Sequence, residues 1–380
     1  MSREFIESSK KLEQWIRGSA LPFWKARGMD GDGSGHVERL DEHGNPDWTA
    51  NIRMRVQSRQ LFVFSYAHHL GWDESAEDTV ASLLKFADEQ RSDVSFPHLF
   101  DPKFNVIDSR KDIYDYAFHI LAYTWCYRAF KNESALVFAK RLVGFLDQEF
   151  KSVNGGWVEG DFSSSYRRQN PHMHLLEAFL ALFGATEDEY WLERAAEIVE
   201  LFKRHFYDSE SNLLLENFNA DWSVCEEPHK CYVEPGHMME WVWLLNDFSA
   251  LSGRDCSEYC VRMLESVNKY GFASSGLLYD RIGVDRRPFM RTKRCWPMTE
   301  AVKGCVSQAV GPNSVELSQA ANHIDVLFKY FICEELEGGY IDQRDSQDRV
   351  LDGKMPASTL YHLIVASAEA SSVRNRFFPD

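Results

Sequence analysis

A histidine and a glutamate stand three residues apart in the segment "VEPGHMMEWVWLL", as His237 and Glu240. Residues at this spacing lie on one face of a helix. The rest of the segment is strongly apolar, and burying a polar group without a partner costs about 1–3 kcal/mol. The segment therefore predicts an apolar helix whose first turn carries polar groups for a purpose other than packing.

Polar residues recur at matching places in other apolar segments. "HLLE" contains His174 and Glu177, and "PMTE" ends in Glu300. Further polar and aromatic residues lie at or near the start of neighbouring apolar segments, namely Arg55, Arg59, Tyr114, Asp115, Arg168, Asn170, Trp296 and His362. Helix capping, the helix dipole or core packing would explain each residue alone. Together these residues predict a shared polar pocket.

Three kinds of chemistry fit this set of residues. The His-x-x-Glu spacing on two helices could bind a metal ion, although di-metal helical bundles use Glu-x-x-His with further bridging carboxylates. Paired carboxylates among Asp115, Glu240 and Glu300 could hydrolyse a glycosidic bond, but this leaves the histidines without a role. The histidines could instead move protons next to a sugar carbonyl, because the imidazole pKa lies near neutral pH.

The elements that must position these residues are helices in alternating apolar and amphipathic pairs. In a repeat of about sixty residues, the apolar members begin near Arg53, Asp112, Pro171, Gly236, Trp296 and Pro356. Five of them are followed by an amphipathic segment, and the N-terminal segment is left to partner the sixth. Asp73 and Ser75 are candidate caps for the first amphipathic helix. Segments such as "NGGWVEG", "SGLLYD" and "EGGYIDQ" predict short β-hairpins.

Six apolar and six amphipathic helices fit an inner ring surrounded by an outer ring. An open helical solenoid uses the same alternation, but closure is favoured because no repeat resembles a capping repeat. The inner helices of a closed ring run in the same direction, so their first turns gather at one end and would line a pocket there. We therefore expect an all-α fold, an (α/α)6 barrel with short β-hairpin loops at one end, in a single domain over residues 1–380.

Composition excludes several classes of partner. The net charge of −16 argues against a surface for nucleic-acid phosphates and against binding to an anionic membrane. No apolar run has the length of a membrane span or the form of a signal peptide. The eight cysteines include no C-x-x-C pair, which indicates reduced core residues in a cytoplasmic protein.

Several segments resemble the N-acylglucosamine 2-epimerase superfamily. They are "QSRQLFVFSYAHHLGW", "RRQNPHMHLLEAFLALFGAT", "VEPGHMMEWVWLL", "RCWPMTEAVKG", "GGYIDQRD" and "MPASTLYHL". The superfamily includes N-acylglucosamine and cellobiose 2-epimerases and aldose–ketose isomerases. The resemblance implies an (α/α)6 barrel that works on sugars without a redox cofactor. The "PGH…EW" form is similar to the mannose isomerase branch.

The resemblance also implies roles for individual residues. His237 and His362 match the catalytic pair of the family, and Glu240 and Glu300 match carboxylates that orient those imidazoles. Positions that bind sugar hydroxyls or stack on the sugar ring are matched by Arg59, Tyr114, Asn170, His174 and Trp296. Glu177 of "HLLE" is expected in the same pocket.

The implied reaction is proton transfer at C2 and C1 of an open-chain aldose through a cis-enediol. Return of the proton to C1 gives a ketose, whereas return to the opposite face of C2 gives the epimer, and both outcomes use the same residues. We expect mannose–fructose isomerisation. N-acylglucosamine 2-epimerisation and mannose or cellobiose 2-epimerisation stay open, as does glycoside hydrolysis by paired carboxylates. The expected partner is a small-molecule sugar, with no metal ion and no cofactor, and a homodimer is also considered.

Overall fold

The structure is a computed structural model that describes residues 2–29, 35–332 and 335–379. In chain order its α-helices are α1 (Ser2–Trp15), α2 (Leu21–Gly28), α3 (Met54–His69), α4 (Glu77–Gln90), α5 (Ile113–Phe130), α6 (Glu133–Glu149), α7 (Asn170–Thr186), α8 (Glu189–Leu201), α9 (Pro235–Ser252), α10 (Ser257–Tyr270), α11 (Cys295–Gln308), α12 (Val315–Tyr330) and α13 (Thr359–Phe377). Two π-helical turns, Ile16–Ala20 and Phe202–Phe206, follow α1 and α8.

The helices form two concentric closed rings. The inner ring consists of α3, α5, α7, α9, α11 and α13, each of which packs against the next, and α13 returns to contact α3. The outer helices α4, α6, α8, α10 and α12 each pack on the inner helix that precedes them, and α1 packs on α13 and α12. This arrangement confirms the predicted (α/α)6 barrel, with the N-terminal helix as the outer partner of α13.

Sequence patterning explains which helices lie inside. Helix α9 is buried without interruption from Pro235 to Leu245, as expected for a helix that is apolar on nearly all sides. Helix α10 instead buries one stripe, formed by Cys260, Met263, Leu264 and Val267. These four residues follow the spacing of a single helical face, so the opposite face of α10 is left to water.

Short antiparallel strands lie at the end of the barrel where the inner helices begin. They are β1 (Arg39–Leu40), β2 (Ile52–Arg53), β3 (Leu99–Phe100), β4 (Val106–Asp108), β5 (Arg167–Arg168), β6 (Tyr207–Asp208), β7 (Leu213–Leu214), β8 (Asn217–Phe218), β9 (Tyr232–Val233), β10 (Arg281–Gly283), β11 (Pro288–Met290), β12 (Lys293–Arg294), β13 (Gln343–Arg344), β14 (Val350–Asp352) and β15 (Met355–Pro356). Strands β2–β3–β4, β9–β10–β11 and β12–β13–β14 form three-stranded sheets, and the others pair as β1–β15, β5–β8 and β6–β7.

The strands hold the first turns of the inner helices in place. Strands β2, β5, β9, β12 and β15 run almost directly into α3, α7, α9, α11 and α13. The predicted hairpins do not form strands of two or more residues, because each is closed by a single β-bridge. The bridges join Lys151 to Trp157, Phe272 to Leu278 and Ile332 to Tyr340. The short β-structure predicted for one end of the barrel is therefore present, and it also includes sheets that the sequence did not predict.

The predicted cap of α4 is wrong. The helix begins at Glu77 with Ala76 at the capping position and without a side-chain hydrogen bond there. The Asp73 carboxylate instead accepts a hydrogen bond from the backbone N–H of Ser75 and pairs with Lys25 at 3.0 Å. A competing lysine from α2, distant in sequence, explains the difference.

Cysteine placement agrees with the expected core role. Among the described residues seven cysteines are unpaired, and six of these are buried, whereas Cys231 is partly exposed. Cys333 lies outside the described residues. Across the described ranges we find no helix with the length and apolar character that a membrane crossing requires.

Candidate active site

A cavity of about 340 Å³ opens at the end of the barrel where the inner helices begin. All six inner helices, or the strands that lead into them, contribute to its walls. The predicted site residues that line it are Arg59, Tyr114, Asn170, His174, His237, Glu240, Trp296 and His362. The remaining two, Glu177 and Glu300, lie behind this wall and contact residues in it.

His362 lies in the first turn of α13 with its Nδ1 held by a buried carboxylate. Nδ1 donates to Oε1 of Glu300 at 2.8 Å, and Nε2 has no hydrogen-bond partner among the described residues. Burial lowers the pKa of His362 well below its ordinary value, and the nearby cations Arg59 and Lys303 add to this effect. The imidazole is therefore neutral, with a lone pair on Nε2.

Glu300 is fully buried one helical turn before a fully buried lysine. Lys303 Nζ lies 2.6 Å from Oε2 of Glu300, whose other oxygen accepts from His362. Burial and the neighbouring Glu240 raise the pKa of Glu300, and the Lys303 ammonium acts against that rise. Lysine, glutamate and histidine thus form one chain that ends at the cavity.

His237 in the first turn of α9 has a different environment. Its Nδ1 donates to the carboxylate of Glu216, at 3.0 and 3.1 Å from the two oxygens. The side-chain amide of Asn170 lies 3.3 Å from Nε2. Burial opposes protonation, but Glu216, Glu234 and other carboxylates raise the pKa of His237 to about 9. These carboxylates favour the imidazolium form of His237, in which Nε2–H would donate to the side-chain oxygen of Asn170, an atom that has no other partner among the described residues.

The orienting contact expected from Glu240 to His237 is absent from the described structure, and Glu216 makes that contact instead. Glu240 follows His237 by three residues, so its side chain faces the cavity, whereas Nδ1 of His237 points away toward the turn after β7. Both carboxylate oxygens of Glu240 are buried without a hydrogen-bond partner among the described residues. No group of the described residues therefore uses their lone pairs.

Trp296 separates the two histidines. The centroid of its ring lies 5.1 Å from that of His237 and 5.4 Å from that of His362. The indole plane makes angles of 34° and 35° with the two imidazole planes. A Cβ atom on Gly236 would lie 2.7 Å from the indole. Because the second residue of α9 is this glycine, the tryptophan can approach the backbone and form one wall of the cavity.

The remaining predicted residues line or support the opposite wall. Arg59 donates to the hydroxyl of Tyr114 at 2.8 Å. His174 donates from Nδ1 to Oε2 of Glu177 at 3.1 Å, and burial lowers the pKa of His174 to about 3. Tyr361 donates to both oxygens of Glu177 at 2.5 and 2.6 Å. Glu177 is therefore a support for the wall and does not line the cavity.

Three residues that the sequence pattern highlighted are structural. Arg55 pairs with Asp115 at 2.9 Å, and neither lines the cavity. Arg168 pairs with Glu159 at 2.5 Å and with Asp112 at 3.0 Å, which ties the loop before α7 to the start of α5. These pairs position the elements around the site.

Sequence reasoning missed residues that complete the site. Arg294 and Glu234 line the cavity and pair with each other at 3.0 Å, and Asp342 also lines it. Glu216 and Lys303 do not line the cavity but contact the site residues His237 and Glu300. A signal existed for both, because Glu216 is a single carboxylate in the apolar segment "NLLLENF" and Lys303 follows Glu300 by one helical turn.

Two sets of side chains come close enough to raise the question of a metal ion. Ligand atoms of His174, Glu177 and Glu240, and of Glu240, Glu300 and His362, lie within 4.8 Å of one another. In both sets the histidine Nδ1 already donates to the glutamate. Lys303 also supplies beside Glu300 the positive charge that an ion would bring. We therefore do not identify these residues as metal ligands.

Known proteins resemble this chain over most of its length. A mannose-6-phosphate isomerase of Rhizobium meliloti (strain 1021) is 29% identical over 381 residues, which cover 96% of this chain and 97% of that protein. A cellobiose 2-epimerase of Dictyoglomus turgidum (strain DSM 6724 / Z-1310) is 25% identical over 358 residues, with 88% and 87% covered. The crystal structure of a D-mannose isomerase superposes with a TM-score of 0.86 at 20% identity, over 96% of this chain and 98% of that one.

The sequence profile of N-acylglucosamine 2-epimerase (GlcNAc 2-epimerase) matches residues 35–366. This range includes all of the inner helices except the end of α13, and every residue of the cavity described above. The chain is therefore a sugar isomerase or epimerase and belongs to the N-acylglucosamine 2-epimerase family.

Proposed function

We propose that the protein interconverts free mannose and fructose, with His362 as the base and His237 as the acid. The observation that carries this proposal is that two histidines face one cavity beside Trp296 with different partners. His362 contacts Glu300, which a buried lysine neutralises, whereas His237 contacts Glu216, which has no lysine or arginine partner among the described residues. A neutral imidazole accepts a proton from carbon, and an imidazolium donates one to oxygen. An aldose–ketose isomerase needs both steps.

The proposed reaction balances through these two groups. Nε2 of His362 takes the proton from C2 of open-chain mannose, and the electron pair forms the C1–C2 double bond while the carbonyl oxygen O1 takes a proton from His237. The resulting cis-enediol then receives the carbon proton back from His362 at C1. The hydroxyl proton on O2 returns to His237, which leaves the C2 carbonyl of fructose.

The polar contacts of the cavity support an uncharged substrate. Two of its arginines are already paired, Arg53 with Glu38 and Arg294 with Glu234. The lining also includes carboxylates, so a phosphate dianion would meet like charge there. The similar protein from Rhizobium meliloti is named for mannose 6-phosphate, and we propose the same sugar skeleton without the phosphate.

The size of the cavity supports a monosaccharide. Ligand pockets span about 300–1,000 Å³, and the volume of about 340 Å³ lies at the small end of that range. A disaccharide such as cellobiose would need more room beyond the reducing sugar. This argument favours mannose over cellobiose, although a cellobiose 2-epimerase is among the similar proteins.

The test is incubation with mannose, mannose 6-phosphate, N-acetylmannosamine and cellobiose, followed by chromatography of the products. We expect fructose from mannose and much slower turnover of the other sugars. In D2O the fructose should carry deuterium at C1, because the proton on His362 can exchange with solvent. Faster conversion of mannose 6-phosphate or of cellobiose would contradict the proposed substrate.

The two catalytic roles need their own variants. His362→Asn and His237→Asn should each lower kcat by about 10²–10⁴-fold, the usual contribution of general acid–base catalysis. His323→Asn is the matched control, because His323 is equally buried but packs in α12 against Phe272, away from the cavity. A near-normal rate in the His362 variant would show that this histidine is not the base.

A further inference from the structure

Lys303 is fully buried in the wall of the barrel, where it meets no water. Its ammonium group lies 2.6 Å from Oε2 of Glu300 and 3.9 Å from Oε1 of Glu240. The same nitrogen lies 3.8 Å from the ring centroid of Trp243. Burying a lysine is unfavourable unless nearby anions compensate the charge. Such a placement needs a reason beyond packing, since an apolar side chain of similar volume would fill the same space.

Titratable and charged groups surround the Glu300–His362 pair on the inner helices. They are Arg59 of α3, His174 and Glu177 of α7, His237 and Glu240 of α9, Lys303 of α11 and Tyr361 of α13. Three of these groups and Glu300 itself are carboxylic acids or phenols whose charged forms are negative. Two further carboxylates, Asp247 of α9 and Glu369 of α13, also interact with the Lys303 charge. Of the cations in the set, Lys303 is the one that contacts Glu300.

We propose that Lys303 is a positioning residue for the reaction. It holds Glu300 as a carboxylate, so that His362 keeps its proton on Nδ1 and its lone pair on Nε2. This inference rests on the proposed role of His362 as the base. Lys303 itself does not line the cavity, and its ammonium lies against Glu300 and near Glu240.

Proton counting explains why the charge matters. If Lys303 were neutral or absent, the buried Glu300–His362 pair would gain one proton to restore its charge balance. Glu300 is the carboxylate that the ammonium contacts at 2.6 Å, ahead of Glu240 at 3.9 Å, so we expect the proton on Glu300 or on the His362 ring that is hydrogen-bonded to it. A protonated Glu300 would donate to Nδ1, and the ring proton would then occupy Nε2. A protonated His362 also carries a proton on Nε2. Both placements remove the base.

The test is the pH dependence of kcat/KM with mannose in Lys303→Met and Lys303→Gln, from about pH 5 to about pH 10. Both variants lose the charge, and the glutamine variant keeps a hydrogen-bond donor and fills the site if the methionine variant does not fold. We expect the acidic limb of both profiles to move to higher pH by about one to three units. Activity should recover between the shifted acidic limb and the basic limb near pH 9, and Lys303→Arg should keep the wild-type acidic limb.

Lys293→Met is the matched control for the loss of a buried lysine. Lys293 is also buried, and its ammonium pairs with Asp348 at 2.6 Å, outside the Glu300–His362 pair. This variant should melt at a lower temperature while its acidic limb stays in place. Lower rates at every pH in both Lys303 variants, with the wild-type limb, would overturn the positioning role. Failure of the underlying proposal that His362 is the base would be detected separately, as a near-normal rate in His362→Asn.

Discussion

The pKa values of two histidines at one cavity shift in opposite directions, and their carboxylate partners differ in charge balance. Glu300 beside His362 is already compensated by Lys303, so it adds little negative potential at the imidazole. Glu216 beside His237 makes no ion pair with a lysine or arginine among the described residues, and its charge acts on the imidazole. The proposed mechanism therefore uses the same residue type as base in one place and as acid in the other.

Glu216→Gln tests the origin of the acid. The wild-type basic limb of kcat/KM should lie near the raised pKa of His237, about 9. Removing the carboxylate removes the main charge that favours the imidazolium, so His237 should lose its proton at lower pH. We expect the basic limb to move down by about one unit or more, while the acidic limb stays.

Glu210→Gln is the control for this variant, because Glu210 is an exposed carboxylate in the turn between β6 and β7. It should leave both limbs unchanged. An unchanged basic limb in Glu216→Gln would show that His237 is not the acid observed in the profile. Stability offers a second measurement. Because the folded pKa of His237 exceeds the ordinary 6.5, its contribution is complete below pH 6.5 and is lost as pH rises toward about 9.

Sequence patterns identified residues that line the cavity but not the carboxylate that hydrogen-bonds to His237. His237, His362 and Glu240 stand at helical positions that a periodic pattern reveals, and all three line the cavity. Glu216 comes from a turn between two-residue strands, and nothing in the spacing places that turn beside α9. Local periodicity describes one helix at a time, whereas the partner of His237 depends on packing between distant segments.

At the level of elements, the first turns of the inner helices are held by strands that precede them. Strand β9 pairs with β10 and leads into α9, and β12 pairs with β13 and leads into α11. The starts of these two helices then meet where Gly236 lies under the Trp296 indole. The position of the tryptophan between the histidines therefore depends on the absence of a side chain on α9.

Gly236→Ala should lower kcat without unfolding the protein. The new methyl group would lie 2.7 Å from the indole, so Trp296 must shift and the wall between the histidines moves with it. A displacement of this kind costs up to about 100-fold in rate. The measurement is kcat for mannose together with a melting curve.

Gly144→Ala in the middle of α6 is the matched control. No atom lies within 4 Å of a Cβ built there, and alanine stabilises a helix interior by about 0.5–1 kcal/mol relative to glycine. This control should raise the melting temperature slightly and leave the rate unchanged. Wild-type kcat in Gly236→Ala would show that the position of Trp296 does not matter for turnover.

The helices and a few short hairpins were predictable from sequence, whereas the paired strands that lead into the inner helices were not. An apolar helix followed by an amphipathic one gives a pattern that extends over many residues, and six such pairs imply closure. A strand of two residues such as β9 carries no periodic signal. The competition between Lys25 and the start of α4 for the Asp73 carboxylate is likewise set by tertiary contacts.

At the scale of the whole molecule, the barrel closes where the first helix meets the last inner helix. Glu13 of α1 accepts hydrogen bonds from Ser371 at 2.9 Å and from Arg374 at 2.6 Å, both on α13. Ser8 of the same helix donates to Asp325 of α12 at 2.9 Å. These contacts join segments from opposite ends of the described chain, and the site depends on them because α13 carries His362.

Glu13→Gln should destabilise the closed ring. The substitution leaves the buried Arg374 guanidinium without its carboxylate partner, which costs about 1–3 kcal/mol. Burial raises the pKa of Glu13, but hydrogen bonds from Arg374, Arg17 and Ser371 together lower it by more, so the net shift is downward. The stabilisation is therefore present above the ordinary carboxylate pKa and is lost as pH falls, and acid unfolding curves should converge for wild type and variant.

Glu7→Gln provides the comparison for this variant. Glu7 pairs with Arg3 on the exposed side of α1, and exposed pairs of this kind contribute about 0–1 kcal/mol. Its unfolding midpoint in urea should stay close to that of the wild type. Equal midpoints for Glu13→Gln and the wild type at neutral pH would show that the Glu13 contacts do not stabilise the ring.

The order of the inner helices along the chain has a consequence for biosynthesis. Chains emerge from the ribosome N-terminus first, and α13 is the last of the six inner helices in the described chain. The acid His237 and the Trp296 wall are made well before the proposed base His362 appears. A nascent or prematurely terminated chain that lacks α13 would hold half of a reaction centre. Under the proposed roles such fragments would lack the base, so turnover would begin only after the ring can close.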